Sequence, residues 1–320
     1  MKEHKSVLLK EVIDFLDVRP GKKYIDATIG GGGHTEAILK AGGEVLGFDQ
    51  DPDSLKLAYK RLSLLQKQAC PDRYQTVPVP GVFKLVHSNF FRLREVVSRE
   101  NFKPVHGALF DLGFASFQVD DPGRGLSFLK EGPLDMRLDP TLGVKAADLI
   151  NGLSEKQIAQ LFWEFGEERA SRVIAQAIVK RRLEKHFETT VELAELVGNA
   201  KLKTGNERRE TKGIHPATRV FMALRIVVNS EFENLRAALP QAVEILEEGG
   251  RLAVISFHSG EDRIVKNFIR NQAQRGFLKI LTKKPVVASD EERGENPRAR
   301  SAKLRVAEKI RSYDETKDTY

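Results

Sequence analysis

The chain of 320 residues has one cysteine, one tryptophan and three methionines. It also has no apolar run near the roughly 18–20 residues that a membrane span needs. A lone Cys70 excludes an intramolecular disulfide and any thiolate zinc cluster, and it fits a reducing cytoplasm. No metal site is expected. Internal repeats and low-complexity tracts are absent. The opening "MKEHKSVLLKEVIDFL" mixes charge with leucines at helical spacing, unlike a signal or transit peptide. The polar tail after Arg311 is expected to fray.

What the sequence does have is positive charge. The formal net charge is +7, with 41% apolar and 30% charged residues, as in a soluble globular protein; the charge suits a polyanionic partner such as nucleic acid, or equally a basic but ordinary enzyme. Residues 201–225 hold seven Lys/Arg against two Glu, and residues 293–311 again seven against two. Two separate basic stretches favour a nucleic acid over a solvated surface.

Short apolar runs alternate with helical patterns through the first third. Tyr24–Ala27, Glu44–Asp49, "FKLVHSNF" and "VHGALFDLG" read as strands. Thr35–Ala41, Pro52–Gln68 and "FRLREVVSREN" read as helices between them. That rhythm predicts a parallel sheet covered by helices on both faces. From about Phe117 to Gly213 strand signals are few. Loops rich in Gly, Pro and Asp lead into amphipathic helices, two of them opened by capping boxes at 154–157 and 189–192. This predicts an inserted, mostly helical domain over 117–213 within a domain made of 1–116 and 214–320. One long helix is expected over 217–246, then the strand "RLAVISF", a helix from about Glu261, and a closing pair of edge strands.

"YIDATIGGGGHTE" at 24–36 places a glycine loop between a strand and a helix. Glycines there let backbone approach a ligand closely and take positive φ. The dinucleotide pattern G-x-G-x-x-G fails, ending on Thr35 or Glu36, and no Lys-Ser/Thr follows to grip phosphates. An acid (Asp26) precedes the loop, and another (Asp49) ends the next strand, nineteen residues after Gly30. A carboxylate at that distance suits ribose hydroxyls. This is the layout of S-adenosylmethionine-dependent methyltransferases. On spacing alone, His34 reads as a capping or core residue.

"HKSVLLKEVIDFL", "YIDATIGGGGHTEAIL", "FDLG", "GPLDMR", "HPATRVFMALRI", "SFHSGEDRIVK" and "NPRARSAKLRVAEK" together resemble the bacterial small-subunit ribosomal RNA (cytosine-N4)-methyltransferase family, in order and over nearly the whole chain. The resemblance implies a Rossmann-like methyltransferase sheet with an inserted helical domain that serves substrate recognition. It implies methyl transfer from S-adenosylmethionine to the exocyclic amine of a cytidine in the decoding centre of 16S rRNA. The small ribosomal subunit is then the partner, and a homodimer is compatible.

Carried across by position, Gly32, Gly33, His34, Asp49, Phe90, Asp111 and Gln118 are the expected cofactor residues. Phe90 follows the third strand, where an aromatic face can stack on a purine. Asp111 ends the fourth strand and is also a catalytic candidate, because a carboxylate there can accept hydrogen bonds from the methionyl ammonium or the target amine. No D/N-P-P-Y/F motif is present to orient that amine. His258 is the second catalytic candidate, with a satisfied buried histidine as the alternative. Asp135 and Arg137, His215 and Arg219, and Arg298 and Arg300 are substrate-side candidates, with an internal salt bridge as the alternative for Asp135 and Arg137. Lys/Arg within 201–219 and 298–305 are expected to hold rRNA phosphates. The chain departs from the family at Phe114, Ala115 and Phe117, where Val, Ser and Pro are usual, and at Gly260, which replaces a Leu and is expected to loosen a turn.

Two other classes are weighed. A nicotinamide dehydrogenase requires the missing third glycine. A non-catalytic RNA-binding assembly factor leaves the glycine loop and Asp49 idle.

Overall fold

A computed structural model describes residues 5–68, 82–202 and 215–311. Cys70, Lys203, Arg208, Arg209, Lys212 and the tail after Arg311 lie outside the described residues. The chain divides into two compact units, residues 1–113 with 232–320, and residues 114–231.

The first unit runs α1 (Leu9–Leu16), β1 (Lys23–Asp26), α2 (Gly33–Lys40), β2 (Glu44–Asp49), α3 (Pro52–Gln68), β3 (Phe83–His87), α4 (Leu93–Arg99) and β4 (Val105–Asp111). The second holds α5 (Ser116–Asp120), α6 (Ala146–Gly152), α7 (Glu155–Gly166), α8 (Ser171–Arg182), α9 (Thr190–Leu202) and α10 (Thr218–Val228). Helix α11 (Glu231–Ile245) returns to the first unit, followed by β5 (Leu246–Ser256), α12 (Ser259–Gln274), β6 (Leu278–Ile280), α13 (Asp290–Glu295) and β7 (Lys303–Lys309).

The seven strands are ordered β3-β2-β1-β4-β5-β7-β6. The first five are parallel, and β7 runs antiparallel to both β5 and β6. Strand order reverses between β1 and β4, so their carboxyl ends border the crevice where such sheets bind ligands. Alternate residues feed the two faces, as the two-residue period of a strand dictates. Ile25, Phe48, Phe110 and Val254 enter one core with α4, α11 and α12, while Tyr24, Val45, Leu109 and Ile255 enter the other with α1, α2 and α3.

The structure corrects three expectations. The long helix over 217–246 breaks at Asn229 and Ser230, and Ser230 has φ 48°. The Asn229 amide accepts from Leu138 N at 2.8 Å and donates to the Met136 carbonyl at 2.8 Å, so tertiary bonds replace the next helical turn. The second domain cut falls after residue 231, later than expected, because α10 packs in the helical core through Val220, Phe221 and Leu224. Of the expected pair of edge strands, only β6 is an edge, since β7 lies between it and β5.

Both capping boxes form. Ser154 and Gln157 bond reciprocally at the start of α7, as Thr189 and Glu192 do at the start of α9. No described helix is long and apolar enough to cross a membrane.

Candidate active site

The loop after β1 is held from both sides. Asp26, buried at the strand end, accepts from Thr35 Oγ1 at 2.7 Å and from Thr28 N at 3.2 Å. Gly32 turns the chain at φ 78°, and a Cβ there would stand 3.3 Å from Ala58. Gly33 begins α2 with its Cα against Ser6, where a Cβ would come within 2.0 Å of the hydroxyl oxygen. Gly32 and Gly33 are therefore required by packing against Ala58 and Ser6.

Asp49 ends β2 with each carboxylate oxygen on a backbone amide, Oδ2 accepting from Gly30 N and Oδ1 from Asp51 N, both at 2.9 Å. Burial pushes its pKa up to about 7, against those two bonds. Each oxygen keeps a lone pair for a further donor, as a ribose diol requires. Beside it, Asn89 Nδ2 donates to Gln50 Oε1 at 2.7 Å, a polar pair that motif reading passed over. Its signal was position, since both residues follow strand ends. Phe90 is half-buried and meets Phe110 edge-on at 5.7 Å.

Asp111 ends β4. Its amide donates to Thr28 Oγ1 at 2.6 Å, tying the strand end to the glycine loop. Its Oδ1 is buried without a hydrogen-bond partner among the described residues. Burial pushes the Asp111 pKa up to about 7, helped by the charge of Glu261 and opposed by the Arg298 guanidinium. His34, only 5% exposed, places Nε2 3.0 Å from the Val7 carbonyl and Nδ1 3.5 Å from Asp111 Oδ2. Burial lowers its pKa. Spacing alone reads His34 as a capping or core residue, and the structure makes it a buried neighbour of the orphaned carboxylate.

His258 follows β5. Its buried Nε2 lies 3.2 Å from Glu261 Oε1 without the alignment of a hydrogen bond, and its ring leans on Phe232. Glu261 also accepts from Phe257 N at 2.8 Å, fixing the start of α12. Gly260 does not loosen that turn. It sits in the first turn of α12, where a Cβ would stand 2.5 Å from the Phe232 ring. Arg298 lies over the Phe257 ring at 5.9 Å, and exposed Arg300 donates to the Arg293 carbonyl at 3.3 Å.

The other candidates lie in the helical unit. Gln118 accepts from Ala115 N at 2.7 Å, closing the first turn of α5. Asp135 and Arg137 form a two-pronged ion pair at 2.7 and 2.9 Å, and Arg137 also donates to the Leu142 carbonyl at 2.6 Å. Despite burial, the guanidinium holds the Asp135 pKa below its usual range. This is the internal salt bridge weighed from the sequence. His215 stacks on Phe128 at 4.4 Å and accepts from Ala217 N, and Arg219 donates to the Glu167 carbonyl at 3.3 Å.

Two features therefore fit S-adenosylmethionine. Asp49 retains lone pairs, and Asp111 keeps one buried oxygen unpartnered.

A family model described as the MraW methylase family matches residues 1–310. The ribosomal RNA small subunit methyltransferase H of Carboxydothermus hydrogenoformans is 47% identical, over 96% of this chain and 98% of its own. Its counterpart from Thermomicrobium roseum is also 47% identical, over 96% and 94%. That from Syntrophobacter fumaroxidans is 43% identical, over 96% of each.

Proposed function

The chain belongs to the MraW methylase family, and from that premise we propose that it methylates the exocyclic N4 amine of a cytidine in the decoding centre of 16S rRNA, with S-adenosylmethionine as donor. The observation that carries the site assignment is Asp111, whose Oδ1 is buried and unpartnered at the carboxyl end of β4. An acceptor left orphaned in the interior is costly unless a ligand donor completes it.

S-adenosylmethionine supplies a methyl group on a positively charged sulfur. Asp49 accepts the ribose hydroxyls, and Asp111 accepts from the methionyl ammonium or the target amine. The loop at Gly32 and Gly33 lets backbone reach the ligand. Thr28 holds the Asp111 strand end in place, with His34 beside its carboxylate. A cytosine amine is a poor nucleophile because its lone pair is delocalised into the ring, so orientation and proximity carry much of the acceleration. Its proton becomes acidic once the nitrogen bears the methyl group, and no strong base is required.

The helical unit, 114–231, is assigned to substrate recognition, and the basic stretches to rRNA phosphates. The partner is the small ribosomal subunit and the compartment the cytoplasm. The test is Asp111→Ala, assayed for binding of labelled S-adenosylmethionine and for methyl transfer to small subunits. Loss of either supports the assignment, and undiminished binding and transfer would overturn it.

A further inference from the structure

The chain's only tryptophan is on the surface of the helical unit. Trp163 is 59% exposed on α7, although Ile158, Leu161 and Phe162 of the same helix are buried. Lys156, Gln160 and Trp163 are spaced i, i+4, i+7 and share one helix face. After the turn at Glu167, Arg169 and Arg172 join them around a cavity of about 770 Å³. Glu155 is the single acid in that lining. Among the described residues, neither Lys156 nor Arg172 is in an ion pair.

We propose that this cavity is a binding site for single-stranded RNA, in which an unpaired base stacks on the Trp163 indole while Lys156 and Arg172 hold the flanking phosphates. Three cations against one carboxylate favour a polyanion. An exposed indole beside them offers what a base seeks, a flat π-face that stacks without regard to sequence. A cavity of this size lies within the range of small-ligand clefts and has room for a nucleotide. The proposal rests on RNA being the substrate, and it adds a contact that neither basic stretch of the sequence contains.

The single tryptophan makes the test direct. Trp163 emission of the full-length protein is titrated with a short unpaired oligoribonucleotide, and with a duplex of equal length, at two salt concentrations. Saturable quenching by the single strand, weakening with salt and smaller for the duplex, is expected. Trp163→Ala should weaken binding of a dye-labelled strand about tenfold, with Trp163→Phe retaining most of the affinity. Lys156→Glu with Arg172→Glu should weaken it and lower the salt slope by about two.

Unchanged Trp163 emission while the labelled strand binds, or equal quenching by duplex, would overturn the site. Methyl transfer to small subunits, measured in parallel, separates this from the enzymatic reading. Quenching without transfer leaves the site standing and removes the reading. Transfer without quenching does the reverse, and failure of both removes both.

Discussion

His34 Nδ1 stands 3.5 Å from Asp111 Oδ2, and burial lowers the His34 pKa while pushing that of Asp111 up to about 7. The Val7 carbonyl can only accept, so His34 Nε2 carries the ring proton and Nδ1 faces Asp111 as a bare acceptor. A neutral Asp111 can donate to it. An ionised one can serve a cationic ligand.

One consequence is a stability cost at the site. Asp111 titrates near 7 in the fold, against about 4 when unfolded. Between those values the native state holds a proton that the unfolded chain has released, so stability falls as pH rises and stays low above 7. Asp111→Asn should therefore stabilise the ligand-free protein at pH 8 by up to about 4 kcal/mol and have little effect near pH 4. Thermal melts at both pH values check this, and equal Tm values at pH 8 would contradict it.

The same linkage governs ligand affinity. A cationic ligand favours ionised Asp111, so affinity for S-adenosylmethionine should weaken as pH drops below about 7, approaching tenfold per unit. Calorimetric titration should show proton release on binding near pH 6.5. Asp111→Asn should bind at least tenfold more weakly with a shallower pH profile, the remainder belonging to Asp49.

Gly33 and Ser6 form a steric pair. Gly33→Ala would set a Cβ 2.0 Å from Ser6 Oγ, and overpacking of this kind costs about 1–3 kcal/mol. Ser6→Ala removes the clashing oxygen, so the double variant should recover most of the loss in urea unfolding. Failure of that rescue would place the constraint in the backbone instead.

In the helical unit, Lys201 Nζ lies 2.5 Å from Glu168 Oε2 and 2.9 Å from the Pro216 carbonyl, and Glu168 is fully buried. Lys201→Ala strands that carboxylate and should cost about 3–5 kcal/mol. Replacing both, as Lys201→Met with Glu168→Gln, should cost much less. Additive losses would contradict the coupling.

The parts of the fold legible from sequence are those set by local pattern. The runs at Tyr24, Glu44 and Val105 end in Asp26, Asp49 and Asp111, and the structure brings those three carboxylates to the carboxyl ends of neighbouring parallel strands. What local pattern missed was decided at long range. The break at Asn229 lies inside an unbroken helical period, because its cause is hydrogen bonding to Met136 and Leu138, some ninety residues away. The placement of β7 between β5 and β6 depends on strand pairing, to which apolar runs are blind. Gly260 looked like a weak point and instead leaves room for Phe232. Asp135 and Arg137 allow a substrate contact or an internal salt bridge from sequence, and the structure pairs them.

The most direct measurement of the central claim is nucleotide mapping by mass spectrometry, after the full-length protein has acted on unmethylated small subunits with isotopically labelled S-adenosylmethionine. One labelled methyl on the N4 of a decoding-centre cytidine is expected, absent with Asp111→Ala. Label elsewhere in the rRNA, or RNA binding with no label transferred, would contradict it.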